Sequence, residues 1–188
     1  MIVRLCCLLS LFAVAAPTAQ AAEMLAIEVD YDKGIYTMSS QIWFDATIEQ
    51  VYQVFRNWDN STKFSSAITE SRNVEPDSEG RPQFYVRNKG CVLFFCTSFE
   101  RRGYMETEQN EVILAFVDPE TSDFHLSNES WRFEKRNGGT VVTYDLEMTP
   151  KFWVPPGIGP YLIKRKMRSS SGDAIDRIEL LAQAIINE

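Results

Sequence analysis

Between Ile68 and Met148 the chain passes through six stretches that read as strands, one after another, and this series limits the fold more than any other feature. The stretches are Ile68–Glu75, Gln83–Lys89, Phe95–Glu106, Glu111–Val117, Phe124–Glu134 and Thr140–Met148. Turn formers separate several of them, at Asp77-Ser78-Glu79-Gly80, Asp118-Pro119-Glu120 and Arg136-Asn137-Gly138-Gly139. Connections this short join antiparallel neighbours. A further strand is expected over Ile35–Phe44, where Tyr36, Met38, Ile42 and Phe44 share a face.

Helical signals sit on either side of the series. Thr47 and Gln50 have capping-box spacing, and Val51, Phe55 and Trp58 form one helical stripe. Asp59-Asn60-Ser61 ends that helix, and a short second one is expected from Thr62 to Ala67. Pro150 stops the last strand, and Pro155-Pro156-Gly157 forces a rigid turn. The C-terminal stretch after that turn reads as one long helix, with Ile163, Met167, Ser170, Ala174, Ile178, Leu181 and Ile185 at three- and four-residue steps. The stripe is small in the middle, at Ser169–Gly172, so it either lets backbones approach or leaves space unfilled. The order predicts an α+β fold, a curved antiparallel sheet of about seven strands wrapped round a long C-terminal helix.

The first 22 residues obey other rules. Arg4 supplies a positive start, Leu5–Ala16 is apolar apart from Ser10, and Ala19-Gln20-Ala21 is a small-x-small cleavage pattern. The apolar run is too short to cross a bilayer, which takes about 20 residues. Residues 1–22 therefore read as a signal peptide, 23–34 as an N-terminal lead-in and 35–188 as the folded domain. Export to the periplasm, or secretion, is the expected destination. No later stretch is apolar enough to span a membrane. The formal net charge of −7, from 19 basic and 26 acidic residues, gives nucleic acid no general basic field to bind.

Without the leader, Cys91 and Cys96 are the remaining cysteines, and an isolated pair in an oxidising compartment reads as a disulfide. A straight strand would hold them roughly 16 Å apart, whereas the bond needs Cα atoms within about 7 Å. The segment must therefore bend, most simply as a hairpin end. Its tip, Val92-Leu93-Phe94-Phe95, either folds over the domain's own edge or meets a membrane, a partner or a cavity mouth. Lys164-Arg165-Lys166-Met167-Arg168 is likewise either a solvated helix face or a site for anionic headgroups.

Reactive groups are sparse. His125 is the only histidine, and simple alternation puts it on one face with Ser127, Glu129, Trp131 and Phe133. His125 and Glu129 are thus the first suspects for acid–base chemistry, without a visible third group to orient them. No metal-ligand spacing, phosphate loop or serine elbow is present, so no metal or cofactor is expected. Phe84, Phe99, Phe116, Trp131, Tyr144 and Met148 come from different strands and are expected to converge on one interior, opposite Met167 and Ala174.

Three segments resemble the START-like (SRPBCC) superfamily, in particular its polyketide cyclase and coenzyme Q-binding group. They are Ile42-Trp43-Phe44-Asp45-Ala46-Thr47 leading to Val51-Tyr52-Gln53-Val54-Phe55 and Trp58-Asp59; Ser130-Trp131-Arg132-Phe133 followed by Gly138–Tyr144; and Pro150-Lys151-Phe152-Trp153-Val154-Pro155-Pro156-Gly157. The likeness spans about residues 35–188. It implies a helix-grip fold that holds a hydrophobic molecule between sheet and last helix. Members bind lipids, quinones or hormones, and some cyclise polyketides. Three functions stay open: an exported carrier of a lipid, quinone or polyketide-like ligand with peripheral membrane contact, a cyclase/dehydratase, or an interaction module with a packed core.

Overall fold

The computed structural model describes residues 21–92, 95–155, 157–169 and 171–185. Among these residues, eight strands form one antiparallel sheet: β1 Glu23–Asp32, β2 Ile35–Phe44, β3 Ile68–Val74, β4 Gln83–Val92, β5 Phe95–Glu108, β6 Val112–Val117, β7 Phe124–Arg136 and β8 Gly139–Pro150. Their spatial order is β1-β2-β8-β7-β6-β5-β4-β3. Asn137 and Gly138 both take positive φ, 53° and 84°, and make the tight turn from β7 to β8.

The segment expected as a lead-in is a strand. Lys33 and Gly34, at φ 46° and 96°, turn β1 back onto β2 as a hairpin. β1 is an acidic edge strand whose residues are mostly exposed, although Leu25, Ile27, Val29 and Tyr31 alternate with Ala26, Glu28, Asp30 and Asp32 as a strand requires.

Helix α1, Ile48–Arg56, starts at the expected capping box. The Gln50 N–H donates to Thr47 Oγ1 at 3.3 Å, and the Thr47 N–H donates to Gln50 Oε1 at 2.9 Å. A 3-10 turn over Trp58–Asn60 comes next, and α2 is a single turn, Ser61–Phe64, rather than the longer helix expected to Ala67. The C-terminal stretch is two helices, α3 Gly159–Ser169 and α4 Ser171–Gln183, either side of residue 170, which lies outside the described residues.

α3 touches both β1 and β4, strands near opposite ends of the sheet order. One helix can meet both only because the sheet curls round it. Lys164 pairs with Asp30 at 3.1 Å, and Arg168 donates to the Val29 carbonyl at 3.4 Å. Two cations of the basic cluster thus fasten α3 to β1. α4 instead packs on α1 and α2.

The helices do not fill the inner face evenly. Under α1 and α4 the core is solid, with Phe44, Val51, Tyr52, Trp58, Ile113 and Val142 among its buried members. Trp58 stacks on Phe84 at 4.2 Å, and its indole N–H donates to the Met105 sulfur. Under α3 the face is hollow.

Gly103 keeps β5 close to β6: a β-carbon there would fall far inside van der Waals contact with the Phe116 carbonyl oxygen. Gly103→Ala should therefore lower stability by about 3 kcal/mol in urea denaturation. A change below about 0.5 kcal/mol would mean that the two strands part at no cost.

Candidate ligand cavity

The hollow under α3 has a volume of about 460 Å³. Its wall is overwhelmingly apolar, with Phe99 on β5, Phe124 on β7, Met148 on β8, and Ile163 and Met167 on α3. Phe152, just after β8, completes a triangle of rings, 5.3 Å from Phe99 and 5.7 Å from Phe124, with those two 5.5 Å apart. Gly159 opens α3 where a side chain would strike Val154, its β-carbon falling 2.5 Å from Val154 Cγ1.

The Cys91–Cys96 disulfide forms part of the same wall. The two residues face each other across the β4–β5 hairpin with Cα atoms 3.9 Å apart, the bend that their spacing required. Leu93 and Phe94 of the tip, and the side chains of Val92 and Phe95, lie outside the described residues. Trp153 lines the cavity yet is 73% exposed, which places it at the mouth.

A polar layer separates the hollow from the solid core. Arg101 is the next inward position after Phe99 on β5, and Glu129 the next after Ser127 on β7. Arg101 and Glu129 form an ion pair, with Glu129 only 7% exposed. Burial pushes the Tyr144 phenol up to about 12, so it stays protonated at neutral pH and donates to Glu129 Oε2 at 2.9 Å. The same burial draws Arg101 below the usual arginine range, an effect Tyr144 opposes. Nε of Arg101 and Oγ of Ser127 are buried without a protein hydrogen-bond partner among the described residues.

Two larger hollows, about 590 and 770 Å³, lie on the outer face of the sheet. Charged side chains line them, and the arginines of the larger one are paired, Arg81 with Asp77 at 2.7 Å and Arg102 with Glu100 at 3.1 Å. Neither offers an apolar molecule a dry wall. Among the described residues, no group of three or more His, Cys, Asp or Glu side chains is placed to hold a metal ion.

Of the side chains expected to converge, Phe99, Met148 and Met167 line the cavity. Phe84 and Trp131 are in the solid core, and Trp131 stacks on Tyr144 at 5.2 Å. Tyr144 belongs to the polar layer, and Ala174 is half-buried on α4 away from the cavity wall. Phe116 points to the outer face, against Tyr104 at 5.3 Å, while its neighbours Ala115 and Val117 face inward. β6 reads VILAFV, apolar on both faces, so alternation could not choose between them.

His125 is exposed and far from the role suggested for it. The β7–β8 register shifts between Phe124 and Leu126, and the extra residue turns Phe124 inward in place of His125. Glu129 stays inward, but its partners are Arg101 and Tyr144. Arg101 had a legible signal: it shares the inward alternation of Phe99 and Met105, and an inward cation calls for an inward anion.

A curved antiparallel sheet gripping C-terminal helices over an apolar hollow defines a helix-grip, START-like protein. A family model described as polyketide cyclase / dehydrase and lipid transport matches residues 44–163, and the chain belongs to that family. No curated protein matches it. Among solved structures it is similar to a START superfamily protein from Mycobacterium smegmatis, with a TM-score of 0.61 and 15% identity over 77% of this chain and 98% of that one. The Zhui aromatase/cyclase from Streptomyces sp. R1128 gives 0.60 and 11% identity over 79% and 94%. A STAR-related lipid transfer protein from Xanthomonas axonopodis gives 0.60 and 12% over 84% and 98%.

The buried pair makes a sharp energetic prediction. Arg101→Ala strands a carboxylate and should cost about 3–5 kcal/mol in urea denaturation, whereas Arg101→Met with Glu129→Leu should recover most of it. A single substitution as mild as the double one would show that the two charges are not coupled.

Proposed function

We propose that the protein is an exported carrier or sensor that binds a small, elongated hydrophobic molecule with one oxygen-bearing end. The observation that carries this reading is the apolar hollow together with two buried, unsatisfied groups: Arg101 Nε, two residues along β5 from the wall residue Phe99, and Ser127 Oγ, paired across β7–β8 with the wall residue Met148. An apolar tail would bury its surface among Phe99, Phe124 and Met167, worth roughly 25 cal/mol per Å² removed from water. A carboxyl, hydroxyl or keto oxygen at the deep end would accept from the waiting donors. Lipids, quinones and polyketide-like molecules all fit that description. A related structure is called a lipid transfer protein, and the family's description includes lipid transport.

Cyclase chemistry has less support in the site. It needs a group that gives or takes a proton beside the ligand. His125 is on the outside, and the Tyr144 phenol is committed to Glu129 and titrates only at about 12. The signal-peptide pattern supports export, and an oxidising compartment suits the disulfide.

The cavity mouth supports peripheral contact with a membrane. Trp153 is 73% exposed, and Ile158 and Tyr161 stand exposed on the turn and helix just beyond it. Arg165, also exposed, adds positive charge near them on α3. Aromatic side chains with a nearby cation suit an anionic headgroup region. No helix among the described residues is long and apolar enough to cross a bilayer.

Two measurements test this reading. A fluorescent fatty acid should bind the purified protein, and Met148→Trp should weaken it at least about tenfold by filling space. Ser127→Ala should weaken the acid more than a probe without a polar end. Binding unaffected by either change would place the probe elsewhere and defeat the proposal. Second, Trp153→Ser with Tyr161→Ser should reduce co-sedimentation with phosphatidylglycerol vesicles about tenfold or more, as expected from losing two anchors worth up to roughly 1.5–3 kcal/mol each. Equal sedimentation would rule out the membrane contact.

A further inference from the structure

Glu179 on α4 is a carboxylate that the ligand site does not use. It is only 7% exposed, and among the described residues no lysine or arginine pairs with it. A buried carboxylate without a counter-ion is costly, and backbone donors offset only part of that cost. Two such donors are present: the Asp45 N–H reaches Oε1 at 2.9 Å, and the Ala22 N–H reaches Oε2 at 2.7 Å.

Ala22 is not an arbitrary residue. It comes directly after Ala19-Gln20-Ala21, whose small-x-small pattern marks a cut after Ala21, one residue before the end of the leader expected over residues 1–22. Burial changes at the same bond: Ala21 is exposed, whereas Ala22 is half-buried and packs on the core. Sequence pattern and structure thus converge on one nitrogen.

We propose that the chain is cut between Ala21 and Ala22 during export and that the released α-ammonium of Ala22 is the counter-ion built for Glu179. The inference rests on the export reading and adds to it an assigned processing site. In the cut, the Ala21 carbonyl carbon gains the hydroxyl of water as its bond to the Ala22 nitrogen breaks. That nitrogen takes the remaining proton, and one more from solvent makes it an ammonium. A neutral amide donor at 2.7 Å from Glu179 is thereby replaced by a cation at the same place. Glu179 then ties together the start of β1, the residue after β2 and helix α4. Removal of the leader tightens the clasp between α4 and the sheet.

The test has two arms. The full chain is produced in a secreting Gram-negative bacterium, and the exported protein's first residue is read by terminal sequencing and intact mass. Separately, chains starting at Ala22 or at Ala21 are released from a fusion, each with Glu179 or with Glu179→Gln, and unfolded in urea. The exported protein should begin at Ala22. The Ala22 start should have an unfolding constant roughly ten- to a hundredfold smaller than the Ala21 start, as for hydrogen bonds to charged groups. In Glu179→Gln that difference should vanish. Equal stability of the two starts, or a difference that survives Glu179→Gln, overturns the pairing. A cut at another bond overturns this inference alone, and an uncut chain overturns the export reading with it.

Discussion

A layer of buried polar groups across the middle of the inner sheet face organises this molecule. Arg101, Glu129 and Tyr144 come from three different strands, and each side chain's position depends on the others. A charge held this deep tolerates no loose arrangement, since losing one partner strands the other in a dry interior. The layer therefore fixes how β5, β7 and β8 stand relative to one another. It also divides the interior into a filled half and an empty one.

The filled half needs no special explanation. α1 and α4 bring large apolar side chains down onto the sheet, and aromatic rings interlock there, as Trp58 on Phe84 and Trp131 on Tyr144 show. The empty half is a consequence of α3. That helix is suspended between β1 and β4, held at one side by Lys164 and Arg168, and it stands on the rings of the wall rather than among them. Gly159 lets the start of α3 pack closely on Val154, and the disulfide forms part of the cavity wall. This cavity is the candidate ligand site.

Much of the framework was legible in the sequence, for physical reasons that can be named. Asn137-Gly138 demands left-handed backbone and so announces a hairpin; Thr47 and Gln50 satisfy each other's orphan amides and so begin a helix. Cys91 and Cys96 could bond only across a bend. What escaped detection was context. β1 is a mostly exposed edge strand whose apolar positions, Leu25, Ile27, Val29 and Tyr31, sit among acidic residues, and one extra residue near His125 reverses the facing of everything before it on β7. Phe116 belongs to a strand apolar on both faces. The partnership of Arg101 with Glu129 depends on distant chain segments, which local periodicity does not report. The site was accordingly read in outline: three of its wall residues, but not the polar layer behind them.

The decisive question is whether the room beneath α3 is open in the folded protein. Crystallography under xenon pressure answers it without any assumption about the natural ligand, since xenon enters dry apolar cavities. We expect xenon density enclosed by Phe99, Phe124, Met148 and Met167. Crystals in which α3 lies against those rings, with no xenon between, would mean that the helix closes the interior and that this protein carries nothing there.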